Sequence, residues 1–530
     1  MFEKVAQKLK EPLMPKCTIN GKEIEVKDGT TIMEAFYQKE VPIAHYCYHP
    51  GLSIAGVCRL CMVEIEGMPR TQIACNTKIT EGMKISNVSD KAKDSVKWAL
   101  DFHLINHPLD CPICDQAGEC GLQEQYMHFG KYEPEMGQGK VKKRKVVDLG
   151  ERVVLDTERC ILCSRCVRFT DEVSKTNELG IFNRGDRSEV GTFQDKPLNN
   201  NYSVNTVDIC PVGALTAKDF RFKQRVWLLK NRESICTGCS TGCNVNVYFN
   251  KGGVYRLKPK YNSDVNGHWM CDKGRDTYKH LNVEARLTKG KKTEEGKTTE
   301  CDAGELAKQT AQLIEKIKKE GGGDSIGLIV TAQYSNEEYA AMFELFKIKL
   351  GSNNVFYWIN NQKTFEAFDG LLYRGDKNPN TKGLLRALSK CKFDQTWDKL
   401  EEKIKAKQLK IVVVLGPENQ EVYPDISEKL KLLNSVDNVV WLTTNQVLGT
   451  ELLKSCWQIP VKSTIEKSGT YINFKGLEQK IKPVTNIVSG ALTLTEAAAL
   501  FAGDEIPFDS KTPVKGERVW NEFFHHRGDL

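Results

Sequence analysis

Two patterns of hydrophobic and polar residues divide the chain. Near the amino terminus, apolar and polar residues alternate in CTINGKEIEV (17–26), which predicts a small half-buried sheet. Helical spacing follows in TIMEAFYQKE (31–40) and again in SVKWALDFHLI (95–105). We therefore expect small sheet-and-helix domains in the first half of the chain.

After about residue 300 the pattern changes to alternating apolar strands and amphipathic helices. SIGLIVT, NNVFYWI, IVVVLG and NVVWLTT predict strands, and DISEKLKLL predicts a helix between the last two. Ser335 with Glu338 three residues later predicts a capping box. The helix that it opens should bury one face, consisting of Tyr339, Met342, Phe343, Phe346 and Leu350. This order of elements predicts a parallel α/β sheet.

The length of the chain and its first residues limit the classes of protein to which it can belong. At 530 residues the chain exceeds what one core usually holds, so we expect several domains. Residues 1–16 mix acids with lysines, which predicts a short extension and argues against a secretory signal. No stretch approaches the roughly 18 apolar residues that cross a bilayer. Residues 290–300, GKKTEEGKTTE, are charged and turn-prone and predict a linker or an exposed loop.

Cysteines are dense before residue 271 and sparse after it. Because the chain is long and has no signal segment, its nineteen cysteines indicate a reducing compartment rather than a disulfide scaffold. Fifteen of them and one histidine fall into four consecutive ligand sets. The first is Cys47, Cys58, Cys61 and Cys75; the second His107, Cys111, Cys114 and Cys120; the third Cys160, Cys163, Cys166 and Cys210; the fourth Cys236, Cys239, Cys243 and Cys271. We expect the remaining cysteines to be core residues: Cys17, Cys301, Cys391 and Cys456.

The third set has the most specific spacing. Thiolates favour zinc or iron–sulfur, and three cysteines at i, i+3 and i+6 with a remote Cys-Pro resemble a ferredoxin binding run. Two-cluster ferredoxins have a further cysteine soon afterwards, but here that position is Thr170, so we expect one [4Fe-4S] cluster. Structural zinc is the alternative interpretation.

The spacing of the other three sets is compatible with more than one kind of metal site. The first suits a [2Fe-2S] cluster whose two irons each need two thiolates, and a zinc ribbon is its alternative. In the second, no fourth cysteine lies nearby, so His107 is a candidate ligand; otherwise it is an ordinary loop or helix-end histidine. The fourth supplies four thiolates for another [4Fe-4S] cluster, again with zinc as the alternative.

The net charge of the chain and the motifs that it lacks reduce the range of functions that we expect for it. The formal charge of +7 assumes neutral thiols. Fifteen thiolates around four iron–sulfur cores would add about −7, which weakens any argument for nucleic-acid binding. The sequence has no G-x-G-x-x-G after a strand, no P-loop, no G-x-S-x-G and no H-E-x-x-H. We therefore expect electron conduction, with no catalytic residues and no substrate site on this chain.

The ligand motifs also carry a family resemblance. The segments SIAGVCRLCMVEIEG, NHPLDCPICDQAGECGLQ, DTERCILCSRCVRF and CPVGAL resemble the large iron–sulfur subunit (the G subunit) of the proton-pumping NADH:quinone oxidoreductase, respiratory complex I. The likeness covers about residues 17–280. Residues 300–480 resemble the α/β part of molybdopterin oxidoreductases, through SNEEYAAMFELFKIKLGSNNV and EKSGTYINFKGLEQKIKPV.

The resemblance implies a multidomain α/β and α+β fold. After the 1–16 extension, it implies a ubiquitin-like (β-grasp) [2Fe-2S] ferredoxin domain at 17–95 and a histidine-and-cysteine-ligated [4Fe-4S] domain at 96–135. A ferredoxin-like [4Fe-4S] domain at 136–230 and a molybdopterin-oxidoreductase-type [4Fe-4S] domain at 231–290 follow. Residues 300–530 would form a truncated molybdopterin-oxidoreductase-like parallel α/β domain.

The resemblance also implies the cofactors and their order. The first set would bind one [2Fe-2S] cluster, and the other three would bind one [4Fe-4S] cluster each. The route would run from the flavin subunit through the first, third and second sets to the next subunit, with the fourth off this route. GSNNVFYWINNQKTF has no cysteine after the G-x-N-N segment, so we expect no molybdopterin, and no FMN or NAD either.

The implied partners are the other peripheral-arm subunits of complex I. They are the FMN- and NADH-binding subunit, the [2Fe-2S] subunit, the ferredoxin-like two-cluster subunit and the quinone-module subunits. The implied location is the cytoplasmic side of the bacterial inner membrane, with membrane contact only through the complex and no nucleic acid bound. Two alternatives stay open: a formate dehydrogenase or iron-only hydrogenase built on the same domains, and a binding module whose metals are structural.

Overall fold

The computed structural model describes residues 14–131, 133, 137, 139–360, 365–393, 395–505 and 517–518. The chain divides into two compact units, with the boundary between Trp227 and Leu228. The predicted extension lies, as far as residue 13, outside the described residues. Within the part of the chain that is described, every helix is too short or too polar to span a bilayer.

The first unit begins with the predicted sheet and helix. Its five strands are β1 (Lys16–Ile19), β2 (Lys22–Glu25), β3 (Met62–Ile65), β4 (Gln72–Ile73) and β5 (Lys84–Ser86), in the order β2-β1-β5-β3-β4. Strands β1 and β5 pair in parallel and the other neighbours are antiparallel. Helix α1 (Ile32–Gln38) begins with a capping box between Thr31 and Glu34 and buries Phe36 in the core beneath the sheet.

The remainder of the first unit consists of short elements around the other ligand segments. The helices are α2 (Asp90–Leu104), α3 (Gly121–Phe129), α4 (Arg165–Arg168) and α5 (Asn205–Asp208), and a π-helical turn (Phe169–Val173) continues α4. Strands β6 (Val147–Asp148), β7 (Val153–Leu155) and β10 (Leu215–Ala217) form one antiparallel sheet, and β8 (Leu179–Phe182) pairs with β9 (Glu189–Thr192). Five ligand cysteines are among the buried residues of the core of this region: Cys47, Cys58, Cys120, Cys163 and Cys166.

The second unit begins with a small antiparallel sheet. Strands β11 (Lys230–Ile235), β12 (Asn244–Asn250) and β13 (Gly253–Pro259) lie side by side, and helix α6 (Asp272–Asp276) follows. The fourth ligand set is on this part of the chain.

A seven-stranded sheet forms the centre of the second unit, in the order β15-β14-β20-β19-β18-β16-β17. Its strands are β14 (Gly290–Glu294), β15 (Lys297–Cys301), β16 (Ile326–Thr331), β17 (Val355–Trp358), β18 (Ile411–Leu415), β19 (Asn438–Thr443) and β20 (Ser455–Pro460). The last five pair in parallel, which confirms the predicted parallel α/β sheet. Strands β21 (Gly469–Ile472) and β22 (Glu478–Ile481) form a separate hairpin, and β23 (Glu517–Arg518) pairs with β11.

Helices cover both faces of the sheet because side chains of a strand alternate between the faces. One core contains Leu328 and Val330 together with apolar residues of α7 (Ala303–Gly321), α8 (Asn336–Glu344), α9 (Thr381–Cys391) and α12 (Leu494–Phe501). The other contains Ile329 with residues of α10 (Trp397–Lys405) and α11 (Ile426–Leu433). The predicted capping box of Ser335 and Glu338 is present, and the predicted apolar face is buried along α8 and the π-helical turn that continues it (Leu345–Leu350).

The prediction for residues 290–300 was wrong. This segment is the hairpin β14–β15, and β14 joins the edge of the large sheet through β20. Glu295 and Gly296 form its two-residue turn, both with positive φ (47° and 76°), which fits a type I′ turn and the twist of the paired strands. Thr293 is buried in the paired strand, so the charged composition concealed a strand whose ladder is supplied by distant residues.

Candidate metal centres

The four cysteines of the first set lie together in two pairs. A hydrogen bond between thiols joins Cys47 to Cys58, and another joins Cys61 to Cys75. The bond to Cys75 and burial raise the pKa of Cys61, and Cys58 of the other pair adds to that shift. The bond to Cys61 lowers the pKa of Cys75, while burial and Cys47 of the other pair oppose this, so the two pairs are within electrostatic reach of each other. All four side chains are buried.

Unequal hydrogen bonding gives the two thiols of each pair different pKa values. The Cys58 thiol, assisted by backbone N–H groups, lowers the pKa of Cys47 to about 5, against the opposing effect of burial. The same contact and burial raise the pKa of Cys58. Such a pair is ready to lose its first proton, and a cation is needed to remove the second. Two such pairs match two irons that each take two thiolates.

The second set surrounds a cavity of about 460 Å³. His107, Cys111, Cys114 and Cys120 all line it, with apolar neighbours that include Leu122. Burial raises the pKa of Cys120 to about 12 and also raises that of Cys114, and each thiol is within electrostatic reach of the other two. The cavity therefore combines space with donors that only a positively charged group would deprotonate together.

His107 has the arrangement that a metal-binding histidine needs. Its Nδ1 atom is buried without a hydrogen-bond partner, and a hydrogen bond to the backbone of Arg159 is among the interactions that set its pKa. Burial lowers that pKa to about 4, so the imidazole is neutral at pH 7. A histidine that binds a metal is neutral and does so through its unprotonated nitrogen. Its other nitrogen commonly donates a hydrogen bond to a backbone carbonyl.

A charged network supports the Arg159 side of this cavity. Arg159 is buried, and its guanidinium contacts Asp110 at 2.7 Å and Asp156 at 3.4 Å. Lys145 bonds Glu158 at 2.8 Å and lies 3.3 Å from Asp110. This network fixes residues beside both the second and the third sets, and no motif in the sequence indicated it.

Three cysteines of the third set lie on one short loop, and the fourth is the remote Cys210. Leu162 and Ser164 have left-handed backbone conformations, with φ of 55° and 61°, which turn the loop between successive cysteines. Burial raises the pKa of Cys160 to about 12 and that of Cys210 to about 11, and Cys163 adds to both shifts. Two non-glycine residues at positive φ in so short a loop are costly, so surrounding structure must enforce it.

The third set neighbours both the first and the second. Cys47 of the first set raises the pKa of Cys163, after the larger effect of burial. On the other side, a Cβ atom added to Gly213 would lie 2.3 Å from Cys114 Sγ of the second set, and Gly213 follows Cys210 by three residues. The third set therefore neighbours both others within the first unit, and the first and second sets also share a neighbour, because Tyr46 is within electrostatic reach of Cys58 and Cys120.

The fourth set is assembled in the second unit from a glycine-rich loop and the start of α6. Its four cysteines are buried, and burial raises the pKa of Cys236 to about 12. The N–H groups of Gly238 and Gly274 donate to Cys236 Sγ and Cys271 Sγ at 3.4 and 3.3 Å. A Cβ atom on Gly274 would lie 2.9 Å from Cys236 Sγ, so this position requires glycine.

The isolated cysteines follow the prediction in part. Cys17 and Cys456 are buried core residues, as expected. Cys301 and Cys391 are only half-buried at the margin of the large core, so the prediction was wrong for these two. Each ends a secondary-structure element, where one side of the residue faces outward.

Among the residues that the structure describes, no three His, Cys, Asp or Glu side chains converge closely enough to hold a single metal ion. The second set surrounds a larger volume, the cavity described above. The side chains present fit multi-atom clusters in donor type, burial and number.

Comparison with protein families identifies each ligand region. Residues 15–90 match a 2Fe-2S iron-sulfur cluster binding domain, and residues 97–135 match the NADH-ubiquinone oxidoreductase-G iron-sulfur binding region. Residues 150–216 match the ferredoxin-like domain of NADH-quinone oxidoreductase subunit 3, and residues 229–283 match the molybdopterin oxidoreductase Fe4S4 domain.

Curated relatives give the same result. The NADH-quinone oxidoreductase G subunit of Rickettsia conorii is 37% identical over 345 residues, which is 64% of this chain and 50% of that protein. The mitochondrial NADH dehydrogenase [ubiquinone] iron-sulfur protein 1 of Solanum tuberosum is 38% identical over 64% of this chain and 45% of its own length. The chain spans about half the length of these relatives.

Among solved structures, a chain from an NAD+-reducing [NiFe]-hydrogenase in the H2-reduced state is 28% identical. The alignment covers 40% of this chain and 91% of that one, with a TM-score of 0.37. The sequence relatives and the four domain matches agree with the grouped thiols described above. The chain is therefore a homologue of the NADH-quinone oxidoreductase G subunit, with iron–sulfur domains in residues 15–283.

Proposed function

We propose that this chain is an electron-transfer subunit of NADH:quinone oxidoreductase, and that it relays electrons from a flavin-containing subunit toward quinone. The first set would hold one [2Fe-2S] cluster, and the second, third and fourth would hold one [4Fe-4S] cluster each. When bound, such clusters accept and release single electrons. The chain itself supplies the ligands, excludes water and fixes the spacing between the sites.

The grouping of buried thiols in every set is the observation that carries this proposal. In water a cysteine thiol has a pKa near 8.5, but burial raises the pKa of Cys120 and Cys160 to about 12. Burying thiols together without a cation leaves them neutral and unable to hold charge. A positive iron–sulfur core reverses this by deprotonating them, which explains why so many thiols are buried together.

The neighbour relations of the three sets in the first unit support a route. Electrons would enter at the first set, pass to the third and leave through the second. The support is that Cys47 lies within electrostatic reach of Cys163, and that Gly213, close to Cys210 in sequence, approaches Cys114. The order is the one that the family resemblance implies, and the contacts of the third set with both others support it.

The finer architecture belongs to the same proposal. The mixed five-stranded sheet with α1 would be the ubiquitin-like ferredoxin fold, and the domain boundaries would be those implied by the family resemblance. The α/β sheet of the second unit would act as a scaffold for neighbouring subunits, without molybdopterin. The partners would be the flavin subunit, the [2Fe-2S] subunit, the ferredoxin-like two-cluster subunit and the quinone-module subunits, on the cytoplasmic side of a bacterial inner membrane.

Metal analysis of one anaerobic sample of the full chain tests the proposal. We expect about fourteen irons with a matching amount of acid-labile sulfide, from one binuclear and three tetranuclear sites. Low-temperature EPR of the dithionite-reduced protein should show one binuclear signal and tetranuclear signals. A colourless protein loaded with zinc would refute the proposal.

A pair of cysteine substitutions separates electron transfer from a structural role of the metal. Cys163→Ser should remove the third cluster and stop electron flow from NADH to quinone in the assembled complex, because the middle step of the route is lost. Cys456→Ser is the matched control, since Cys456 is a buried core residue of the second unit and belongs to none of the four sets. A Cys163→Ser complex that stays assembled and keeps full electron flow would exclude the proposed route.

A further inference from the structure

One face of α4 and the π-helical turn after it reaches from the third set to the loop of the first. Arg165, Arg168 and Glu172 stand three and four residues apart, which places them on the same side of the helix. Their side chains contact backbone and hydroxyl groups of Cys47, Tyr48 and Ser53. This helical face directly connects two ligand sets, through hydrogen bonds between residues 117 and 121 positions apart in sequence.

Arg168 holds both loops with a single guanidinium. Its Nη2 atom donates to the carbonyl of Cys47 at 2.5 Å and to the carbonyl of Cys163 at 3.4 Å. Nη1 donates to the carbonyl of Ser53, and Nε donates to the hydroxyl of Ser164 at 3.2 Å. The two carbonyls on Nη2 belong to ligand residues of different sets, so moving this side chain would change the spacing between the sets.

Arg165 and Glu172 reinforce the same contact. Arg165 is buried, donates to the carbonyl of Tyr48, and donates to the carbonyl of Ile209 at 3.1 Å. Ile209 precedes the remote ligand of the third set. Glu172 accepts from the backbone N–H of Ser53 at 2.8 Å and from the Ser53 hydroxyl. Together, Arg165, Arg168 and Glu172 form a clamp that contacts both ends of the 47–53 loop.

The charge of the clamp points to a redox role. Neither arginine forms an ion pair with a carboxylate among the described residues; their hydrogen bonds go to backbone carbonyls and one hydroxyl. The groups that interact electrostatically with Arg168 include Cys163 and Cys47, one ligand residue from each set, and the carboxylate of Glu172. A fixed positive charge near two sites favours the state of each site that carries one more electron.

We propose that Arg168, supported by Arg165, is a positioning residue that fixes the spacing between the first and third sites and favours the reduced form of the clusters held there. This proposal rests on the proposed function, because it requires clusters at both sites. Arg165 and Arg168 thereby have a role that the spacing of the ligand residues does not predict. Arginine suits it because its planar, permanently charged fork can hold several carbonyls at once.

An EPR-monitored redox titration of the full-length, reconstituted chain tests the proposal. The variants are Arg168→Gln, which removes the charge and most of the fork, and Arg168→Lys, which keeps only the charge. Arg187→Gln is the matched control, because Arg187 is exposed in the same unit and loses the same charge. Two quantities are measured: the midpoint potential of each cluster, and the magnetic interaction between the two reduced clusters, which weakens as their separation grows.

We expect Arg168→Gln to lower the one-electron reduction constant of the first and third clusters about tenfold, or about 59 mV. Its magnetic interaction should weaken as well. Arg168→Lys should restore the reduction constants to within about threefold of wild type but keep the weakened interaction, because ammonium cannot reproduce the fork. Arg187→Gln should match wild type in both quantities.

Each other outcome decides the question. If Arg168→Gln titrates like Arg187→Gln with unchanged interaction, the proposal is wrong. If Arg168→Gln fails to fill both sites, Arg168→Lys carries the test: a weakened interaction at unchanged reduction constants supports the proposal, and a wild-type interaction overturns it. A wild-type chain that shows no cluster signals would instead refute the proposed function itself, which keeps the two failures distinct.

Discussion

Replacing Gly213 by alanine should remove the second cluster while leaving the first, third and fourth in place. Gly213 belongs to the loop that carries Cys210 and faces the cavity of the second set. A Cβ atom at this position would lie 2.3 Å from Cys114 Sγ and 3.0 Å from Cβ of Gln116. Neither separation allows normal van der Waals contact.

The size of the effect follows from these distances. Non-bonded heavy atoms pack at about 3.5 Å, so the Cys114 sulfur must retreat by roughly 1.2 Å. Metal–ligand distances tolerate only about 0.2 Å. The displacement is several times that tolerance, so the thiolate would no longer reach its iron. The Cys114 side chain should move rather than the Gly213 backbone, because backbone N–H groups of this loop are bonded to Cys210.

The assay is iron content combined with EPR of the anaerobically reduced full chain. We expect about ten irons in Gly213→Ala against about fourteen in wild type, with loss of one tetranuclear signal. The cost in folding stability from overpacking should stay within about 1–3 kcal/mol. Gly139→Ala is the control, because Gly139 is exposed and an added Cβ meets nothing within 4 Å. A Gly213→Ala protein with full iron and unchanged spectra would refute the argument.

Three further predictions concern other buried groups. His107→Cys should keep a cluster at the second site but lower its midpoint potential, because a thiolate adds negative charge; an unchanged titration would argue against ligation by His107. Burial, assisted by the charge of Arg286, lowers the pKa of His280 to about 3 from the usual 6.5, so this histidine is neutral in the native state and protonated in the unfolded chain between those values. Stability should therefore fall as pH drops from 6.5 toward 3, by up to about 1.4 kcal/mol per pH unit, and His280→Gln should flatten that slope in denaturant titrations. Lys467→Met should cost roughly 3–5 kcal/mol, because it strands the buried Glu338 carboxylate that Lys467 contacts at 2.7 Å. The exposed Arg386, changed to Met, should cost at most about 1 kcal/mol in the same thermal or chemical unfolding experiment, and equal losses would contradict this reasoning.

Local patterns were sufficient for the elements whose signal lies within one segment. The capping box at Ser335 and the buried strand Ile326–Thr331 were both predictable, because side-chain hydrogen bonds to the helix start and continuous apolar runs are encoded in a few neighbouring residues. Strand β14 was missed, since its charged residues carry no such signal and its pairing with Ser455–Pro460 comes from far along the chain. Strand identity there depends on the neighbour more than on the segment itself.

The same division holds for the candidate metal centres. Spacing along the chain predicts the four ligand sets, and the role of their residues as cluster ligands stays a prediction. Spacing could not reveal which sets are neighbours, that Gly213 borders Cys114, or that Arg168 links Cys47 to Cys163. Those relations join residues far apart along the chain, and only the packing of separate loops into one core brings them within the few ångströms over which hydrogen bonds and charges act.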